Sequence, residues 1–135
     1  MRYSPLDTEL DMLSGMTMEE RLHYATTRMV ESEEVWSLGD ENGWLIRDVD
    51  GRQLISIWPY RQLALEHVAG GADTPFPQAT SLEYFVYGVL DMCRTDDIWL
   101  DVFPHGSEAG KLMRSEDLYE ILNGMLETNE YFIEG

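Results

Sequence analysis

The sequence predicts an α+β domain in which helices pack on an antiparallel sheet of about five strands. Short apolar segments rich in β-formers come in clusters separated by turn residues, and apolar residues at helical spacing fill the stretches between the clusters. The chain has 135 residues, of which 44% are hydrophobic, so it can bury one core without disulfides. The predicted order of elements is α-βββ-α-α-ββ-α.

The first helix has a capping signal at its start. Residues 1–16 show little periodicity and are expected to form a loosely ordered leader, with residues 17–135 as a single domain. Thr17 and Glu20 have the spacing of a capping box, which predicts a helix from Met18 to about Ser32.

Three strand segments follow this helix. They are Val35–Leu38, Trp44–Arg47 and Gln53–Trp58, and turn-forming residues separate them. The last connection contains Asp50-Gly51, and both residues tolerate the positive φ of a tight hairpin. The three segments are therefore expected to form an antiparallel meander.

Two helices are predicted in the middle of the chain. Pro59 suits a first helical position, and a short helix is expected from Tyr60 to Val68, closed by Gly70-Gly71. A loop with two prolines then leads to Thr80, which is expected to cap a second helix. The apolar stripe of that helix consists of Leu82, Phe85, Val86, Val89, Leu90 and Cys93.

The last part of the chain contains a strand pair and a helix. Ile98–Phe103 has the character of a strand, and Lys111–Arg114 is expected to pair with it across a glycine-containing loop. Ser115 is expected to cap the final helix.

The charge of the chain limits its partners. There are 26 acidic and nine basic residues, a formal net charge of −17 at pH 7. Such a chain is repelled by nucleic-acid phosphates and by anionic membranes, so neither is expected to bind it directly. The acidic surface fits a basic protein partner, or a mimic of nucleic acid, but it also fits a solvated face that maintains solubility. With one Cys, no apolar run long enough to span a membrane and no apolar secretory signal, a cytoplasmic location is expected.

Motifs for catalysis and for cofactors are weak in this sequence. The three histidines lie in different predicted elements and no Cys-x-x-Cys pair is present, so neither a metal nor a cofactor is expected. Cys93 lies on an apolar helix stripe and is interpreted as a core residue. Asp96, Asp97 and Asp101 with His105 offer acid–base groups, but carboxylates are so abundant that this signal is weak, and no catalytic residue is assigned.

A candidate binding surface comes from the alternation of side chains along two strands. Each strand has one aliphatic face and one face that mixes polar groups with Trp or Phe, and each ends in an aromatic residue followed by Pro. If the two strands are parallel neighbours, these ends converge into a shallow pocket. The alternative is that the aromatic face is covered and belongs to the core. The candidate ligand or partner surface consists of Trp58, Pro59, Arg61, Trp99, Phe103, Pro104 and His105.

The spaced Trp and Pro residues resemble those of a bacterial family known as domain of unknown function 2750. The matching segments are the acidic residues that lead into Trp36, then Gly43-Trp44, Trp58-Pro59 and Phe103-Pro104. The resemblance covers about Thr17 to Leu126. It implies a bacterial, cytoplasmic protein, and it implies no activity, substrate or cofactor.

Two functions remain open from the sequence. The first is a non-enzymatic protein-binding or regulatory module, immunity-like or nucleic-acid-mimicking, with a basic protein partner. The second is a small-ligand binder or enzyme that uses the pocket near Trp58, Arg61, Phe103 and His105. A homodimer that covers the aromatic face with a second copy is a further alternative.

Overall fold

The computed structural model describes residues 15–40, 43–66, 75–104 and 110–133, so the predicted leader lies almost wholly outside it. The helices are α1 (Met18–Ser32), α2 (Arg61–Leu65), α3 (residues 82–96) and α4 (Ser115–Ile133). The strands are β1 (Glu34–Asp40), β2 (Gly43–Trp44), β3 (Arg47–Val49), β4 (Arg52–Trp58), β5 (Phe76–Ser81), β6 (Ile98–Val102) and β7 (Lys111–Met113).

These strands form one mixed sheet, and the α+β class is as predicted. The main path through it runs β2-β1-β4-β6-β7, with β5 paired to β1 and β3 paired to β4. All pairs are antiparallel except β4 with β6, which run parallel with Ile55 opposite Leu100 and Ile57 opposite Val102. The antiparallel prediction is therefore mostly right, and the parallel pair lies at the centre of the sheet.

The start of α1 is a complete capping box. The Glu20 backbone N–H donates to Thr17 Oγ1 at 3.1 Å, and the Thr17 backbone N–H donates to Glu20 Oε1 at 2.8 Å. The hydrogen bond from the Thr17 backbone lowers the pKa of Glu20, because it stabilises the charged carboxylate. The helix ends at Ser32, as predicted, and Glu33 follows in the left-handed conformation.

The hairpin between β3 and β4 is also as predicted. Asp50 and Gly51 have φ values of 54° and 81°, and the Gly51 N–H donates to Asp48 Oδ1 at 3.1 Å. Two successive residues with positive φ match the right-handed twist of the flanking strands. The predicted strand Trp44–Arg47 is instead divided between β2 and β3, because Trp44 pairs with β1 and Arg47 pairs with β4.

Four boundaries differ from the prediction. The segment expected to be a proline-containing loop is the strand β5, in which Pro77 lies opposite Leu38 of β1. The cap of α3 is Ser81, whose Oγ accepts from the Tyr84 N–H at 3.3 Å, and Thr80 belongs to the strand. Helix α2 begins at Arg61, just after the predicted start at Pro59-Tyr60, and Ser115 is the first residue of α4 rather than its cap. The predicted glycine stop at residues 70–71 lies outside the described residues.

Helix α3 contains a wide turn in its middle. It runs through the α-helical Leu82–Tyr84, the π-helical Phe85–Val89 and the α-helical Leu90–Asp96. All six residues of its predicted apolar stripe are buried. A π-helical turn is uncommon, and in known proteins it is frequently found at functional sites.

A single core joins the sheet to the helices. It includes Ile55, Ile57 and Leu100 from the sheet, with Leu118 and Leu122 from α4. Helix α4 packs against α1, α3 and β6, so three helices meet over this part of the sheet. Within the described ranges, no helix is both long and apolar enough to cross a membrane.

Candidate functional site

The two aromatic-Pro strand ends lie side by side, as expected for parallel neighbours. The Trp58 indole N–H donates to the Pro104 carbonyl oxygen at 2.9 Å, and the Phe103 N–H donates to the Ile57 carbonyl oxygen at 2.9 Å. These two bonds continue the contact between β4 and β6 beyond the last residues of the strands. The convergence predicted from the sequence is therefore present in the fold.

The converging aromatic rings are packed in the interior. Trp58 is 1% exposed and Phe103 is 0% exposed, and the Phe103 ring lies 6.1 Å from the Tyr24 ring. Pro59 and Pro104 are buried as well. Trp58 and Phe103 therefore belong to the hydrophobic core, and Phe103 is packed against Tyr24 of α1.

The remaining members of the predicted surface are distributed differently. Arg61 is exposed at the start of α2, and Trp99 is half-buried on β6. His105 lies outside the described residues. A binding role for this set stays a prediction, and only Arg61 and Trp99 among the described members are accessible to a partner in this conformation.

Asp101 is the most enclosed carboxylate near this end of the sheet. It is 2% exposed, and its Oδ1 accepts from the Gly110 N–H at 2.7 Å while its Oδ2 accepts from Arg47 Nη2 at 2.9 Å. Ser56 Oγ lies 3.5 Å from the same Oδ2. Burial raises the pKa of Asp101, although the Gly110 N–H, Arg47 and Ser56 all act in the opposite direction. Through these contacts Asp101 connects β6 with Arg47 of β3, with Ser56 of β4 and with the backbone at Gly110.

The other acid–base candidates are separated from Asp101. Asp96 and Asp97 precede β6, whereas Asp101 lies near its end, about 13 Å further along at the rise of a strand. Cys93 is fully buried, and burial, with a smaller contribution from Asp96, raises its pKa to about 12. Its thiol therefore stays protonated at neutral pH, which agrees with the interpretation of Cys93 as a core residue. No group of three or more His, Cys, Asp or Glu side chains among the described residues is arranged to hold a metal ion.

A surface groove that the sequence analysis did not identify lies between α3 and α4. Its volume is about 480 Å³, and the buried Val86 and Leu90 form its floor. The aromatic rings of Tyr87 and Tyr119 meet edge to face across it at 6.2 Å, and the Tyr87 hydroxyl donates to Asn123 Oδ1 at 3.1 Å. We call this surface the tyrosine groove, and it is lined by Val86, Tyr87, Leu90, Asp91, Arg94, Ser115, Glu116, Tyr119 and Glu120.

Aromatic rings are unusually accessible along this groove. Tyr87 is 55% exposed and Tyr119 is 37% exposed, and Tyr84, three residues before Tyr87 on α3, is 64% exposed. The Tyr84 ring lies along the helix over Gly88, since a Cβ at that glycine would come within 3.3 Å of it. In the sequence, Tyr84 and Tyr87 lie on the polar side of an amphipathic helix, but this spacing alone does not show whether another part of the chain covers that side.

The comparisons with known proteins define a family for this α+β domain. A family model described as a protein of unknown function, DUF2750, matches residues 22–122, about three quarters of the chain. The chain therefore belongs to the DUF2750 family, as its Trp and Pro pattern predicted. Neither the search of curated proteins nor the search of solved structures found a match.

Proposed function

We propose that this protein is a non-enzymatic protein-binding module that holds a basic segment of a partner in the tyrosine groove. The observation that carries the proposal is the accessibility of Tyr87 and Tyr119 around an apolar floor. Tyrosine is enriched at protein interfaces because it buries a large apolar area at low entropic cost while its hydroxyl keeps a hydrogen bond. A contiguous patch of this kind at a monomer surface is typical of an interaction site.

The charges around the groove favour a basic occupant. Three carboxylates line it, those of Asp91, Glu116 and Glu120, against one cation, Arg94. Arg94 is paired with Asp91 at 2.7 Å and is also close enough to Glu116 for that carboxylate to raise its pKa, so the acidic groups outnumber the cation. The net charge of −17 adds a long-range attraction for a basic protein. An arginine or lysine side chain in the groove would lay its aliphatic stem on the apolar floor and its cation against a tyrosine face.

The protein-binding function is the one predicted from the sequence, but we assign it to the tyrosine groove and not to the aromatic end of the sheet. The aromatic sheet end predicted as the contact is packed inside, whereas the tyrosine groove is open. An immunity-like role and a nucleic-acid-mimicking role both use an acidic surface to engage a basic partner, so both are forms of the same proposal.

The test is affinity capture from a lysate of the source organism, with variants that separate the groove from the general charge. Glu120→Lys places a cation in the groove, and Asp117→Lys makes the same charge change on an exposed residue of the same helix, outside the groove lining. Tyr87→Ala removes an aromatic wall. A partner that binds the groove is recovered with the wild type and with Asp117→Lys, and is lost with Glu120→Lys and Tyr87→Ala.

Salt concentration tests the electrostatic part of the contact separately from the apolar part. We expect recovery of the partner to fall between low and high salt, because screening weakens the attraction between the acidic surface and a basic protein. Recovery that is equal for all four proteins, or that is insensitive to salt, would contradict binding of a basic segment in the tyrosine groove. The absence of any groove-dependent partner would contradict it as well.

A further inference from the structure

A second concavity lies on the sheet and shares no lining residue with the tyrosine groove. The strand register places Leu54 beside Trp99, and Arg52 lies two residues before Leu54 on the same face of β4. Arg114 directly follows β7, and extension of the β6–β7 register places it opposite Trp99. Arg52, Trp99 and Arg114 therefore share one face of the sheet.

The two arginines converge on the indole ring. The guanidinium carbon of Arg52 lies 4.0 Å from the centre of the Trp99 ring, and that of Arg114 lies 5.1 Å from it. Both arginines are exposed, and within the described part of the chain neither forms an ion pair. A guanidinium that contacts an aromatic ring through its face keeps its N–H groups available for a carboxylate. Two such groups without an acidic partner are unexpected in a chain with 26 acidic residues.

Carboxylates line the same concavity, although none of them forms an ion pair with these arginines within the described part of the chain. Its volume is about 480 Å³, and its charged lining consists of Arg52 and Arg114 together with Asp48, Asp96 and Asp97. The lining is predominantly polar. Two positive and three negative groups give it a formal net charge of −1, so a simple anion or a simple cation would meet attraction and repulsion together.

We propose that this concavity binds a small zwitterion, such as an amino acid or short peptide, with its carboxylate on Arg52 and Arg114 and its ammonium group on the aspartates. A ligand with both charges satisfies the two halves of the lining at once, which neither a plain carboxylate nor a plain amine does. Trp99 contacts both guanidiniums, and its half-buried ring, which also lines the concavity, would supply an apolar wall for the carbon chain of the ligand. This site is independent of the tyrosine groove and of the proposed protein partner.

The experiment uses three probes with the same four-carbon chain. These are 4-aminobutyrate, which has both charges, butyrate, which has only the carboxylate, and butylamine, which has only the ammonium group. Binding is followed through the Trp99 indole N–H signal in two-dimensional NMR spectra of the full-length protein, with that signal assigned from a Trp99→Phe variant. We expect 4-aminobutyrate to shift it with an affinity at least fivefold higher than that of either control.

Variants test which residues bind the carboxylate and which bind the ammonium group of the ligand. Arg52→Gln and Arg114→Gln are expected to weaken 4-aminobutyrate binding at least fivefold, and Asp97→Asn is expected to weaken it because the ammonium group loses a partner. Arg94→Gln is the matched control, since this exposed arginine lies outside the concavity and should leave binding unchanged. Dispersion of the remaining NMR signals confirms that each variant is folded.

Several results would contradict a zwitterion-binding site. Butyrate that binds as tightly as 4-aminobutyrate would make this a plain anion site, and equal binding of butylamine would make it a cation site. No shift of the Trp99 signal by any of the probes, or shifts that survive Arg52→Gln and Arg114→Gln, would also overturn it. The tyrosine-groove variants do not touch these residues, so failure here leaves the protein-binding proposal to its own test.

Discussion

Replacement of Trp58 by alanine tests whether the aromatic strand ends act in packing or in binding. The side chain is 1% exposed, and its indole N–H donates to the Pro104 carbonyl oxygen at 2.9 Å. A buried Trp→Ala replacement costs about 3–5 kcal/mol of unfolding free energy, because apolar burial is lost and the surroundings fill the cavity only partly. For a domain of this size, that corresponds to a fall in Tm of roughly 10–20 °C.

A milder variant separates the hydrogen bond from the volume. Trp58→Phe keeps an aromatic ring but leaves the Pro104 carbonyl without its indole donor, which costs about 1–3 kcal/mol. Tyr84→Ala is the control, since Tyr84 is 64% exposed and its loss should change the free energy of unfolding by less than about 1 kcal/mol.

The assay is urea denaturation followed by far-UV circular dichroism, which does not depend on the tryptophan that is removed. We expect stability to fall in the order wild type, Trp58→Phe, Trp58→Ala, with Tyr84→Ala close to the wild type. If Trp58→Ala lowers the free energy of unfolding by less than about 1 kcal/mol, the core interpretation is refuted and the predicted pocket at this end of the sheet regains support.

Three further predictions concern stability. Gly110→Ala should lower the free energy of unfolding by at least about 1–3 kcal/mol in urea denaturation, because a Cβ there would overlap the backbone carbonyl of Val102, and wild-type stability would contradict that close approach. Thr17→Ala should cost about 1 kcal/mol through loss of the cap, measured as a fall in Tm, whereas Thr17→Ser should retain the cap and most of the stability. Asp101→Asn tests the buried carboxylate. Burial raises the pKa of Asp101 in the folded wild-type protein above the usual 3.8, so its ionisation lowers the free energy of unfolding as the pH rises through that folded pKa. The stability of the variant relative to the wild type should therefore increase as the pH rises above 3.8, and the opposite slope in urea denaturation would show that the partners of Asp101 outweigh its burial.

The alternation of side chains along β4 and β6 accounts for some of the candidate surface residues and not for others. Alternation alone assigned Trp99, Asp101 and Ser56 to the polar faces of β4 and β6, and the register places Ser56 opposite Asp101 on one face of the sheet. Alternation also placed Trp58 and Phe103 on that side, but both rings are buried at the strand ends, and Tyr24 of α1 packs against Phe103. Phe103 has a φ of 61°, a left-handed conformation that ends the regular alternation at this position.

The tyrosine groove and the arginine–tryptophan site depend on contacts that no local pattern contains. Tyr87 and Tyr119 are 32 positions apart in the chain, and they meet because α3 and α4 pack side by side. Arg52 and Arg114 are further apart still, and they reach one indole ring because β4 and β7 both lie beside β6. Only the packing of the helices and the order of the strands bring these residues together.

The features that the sequence determined by itself are those set within a few neighbouring residues. The capping box at Thr17, the Asp50-Gly51 hairpin and the apolar stripe of α3 each depend on local hydrogen bonds, local φ preferences or helical spacing, and each is present as predicted. The tertiary structure decided the rest. The segment around Pro77 forms strand β5 because it pairs with β1. The parallel pairing of β4 with β6 brings their aromatic ends together, and these rings are buried. Pairing between strands and exposure to solvent are set by distant parts of the chain, and a local pattern carries no information about which distant segment will cover it.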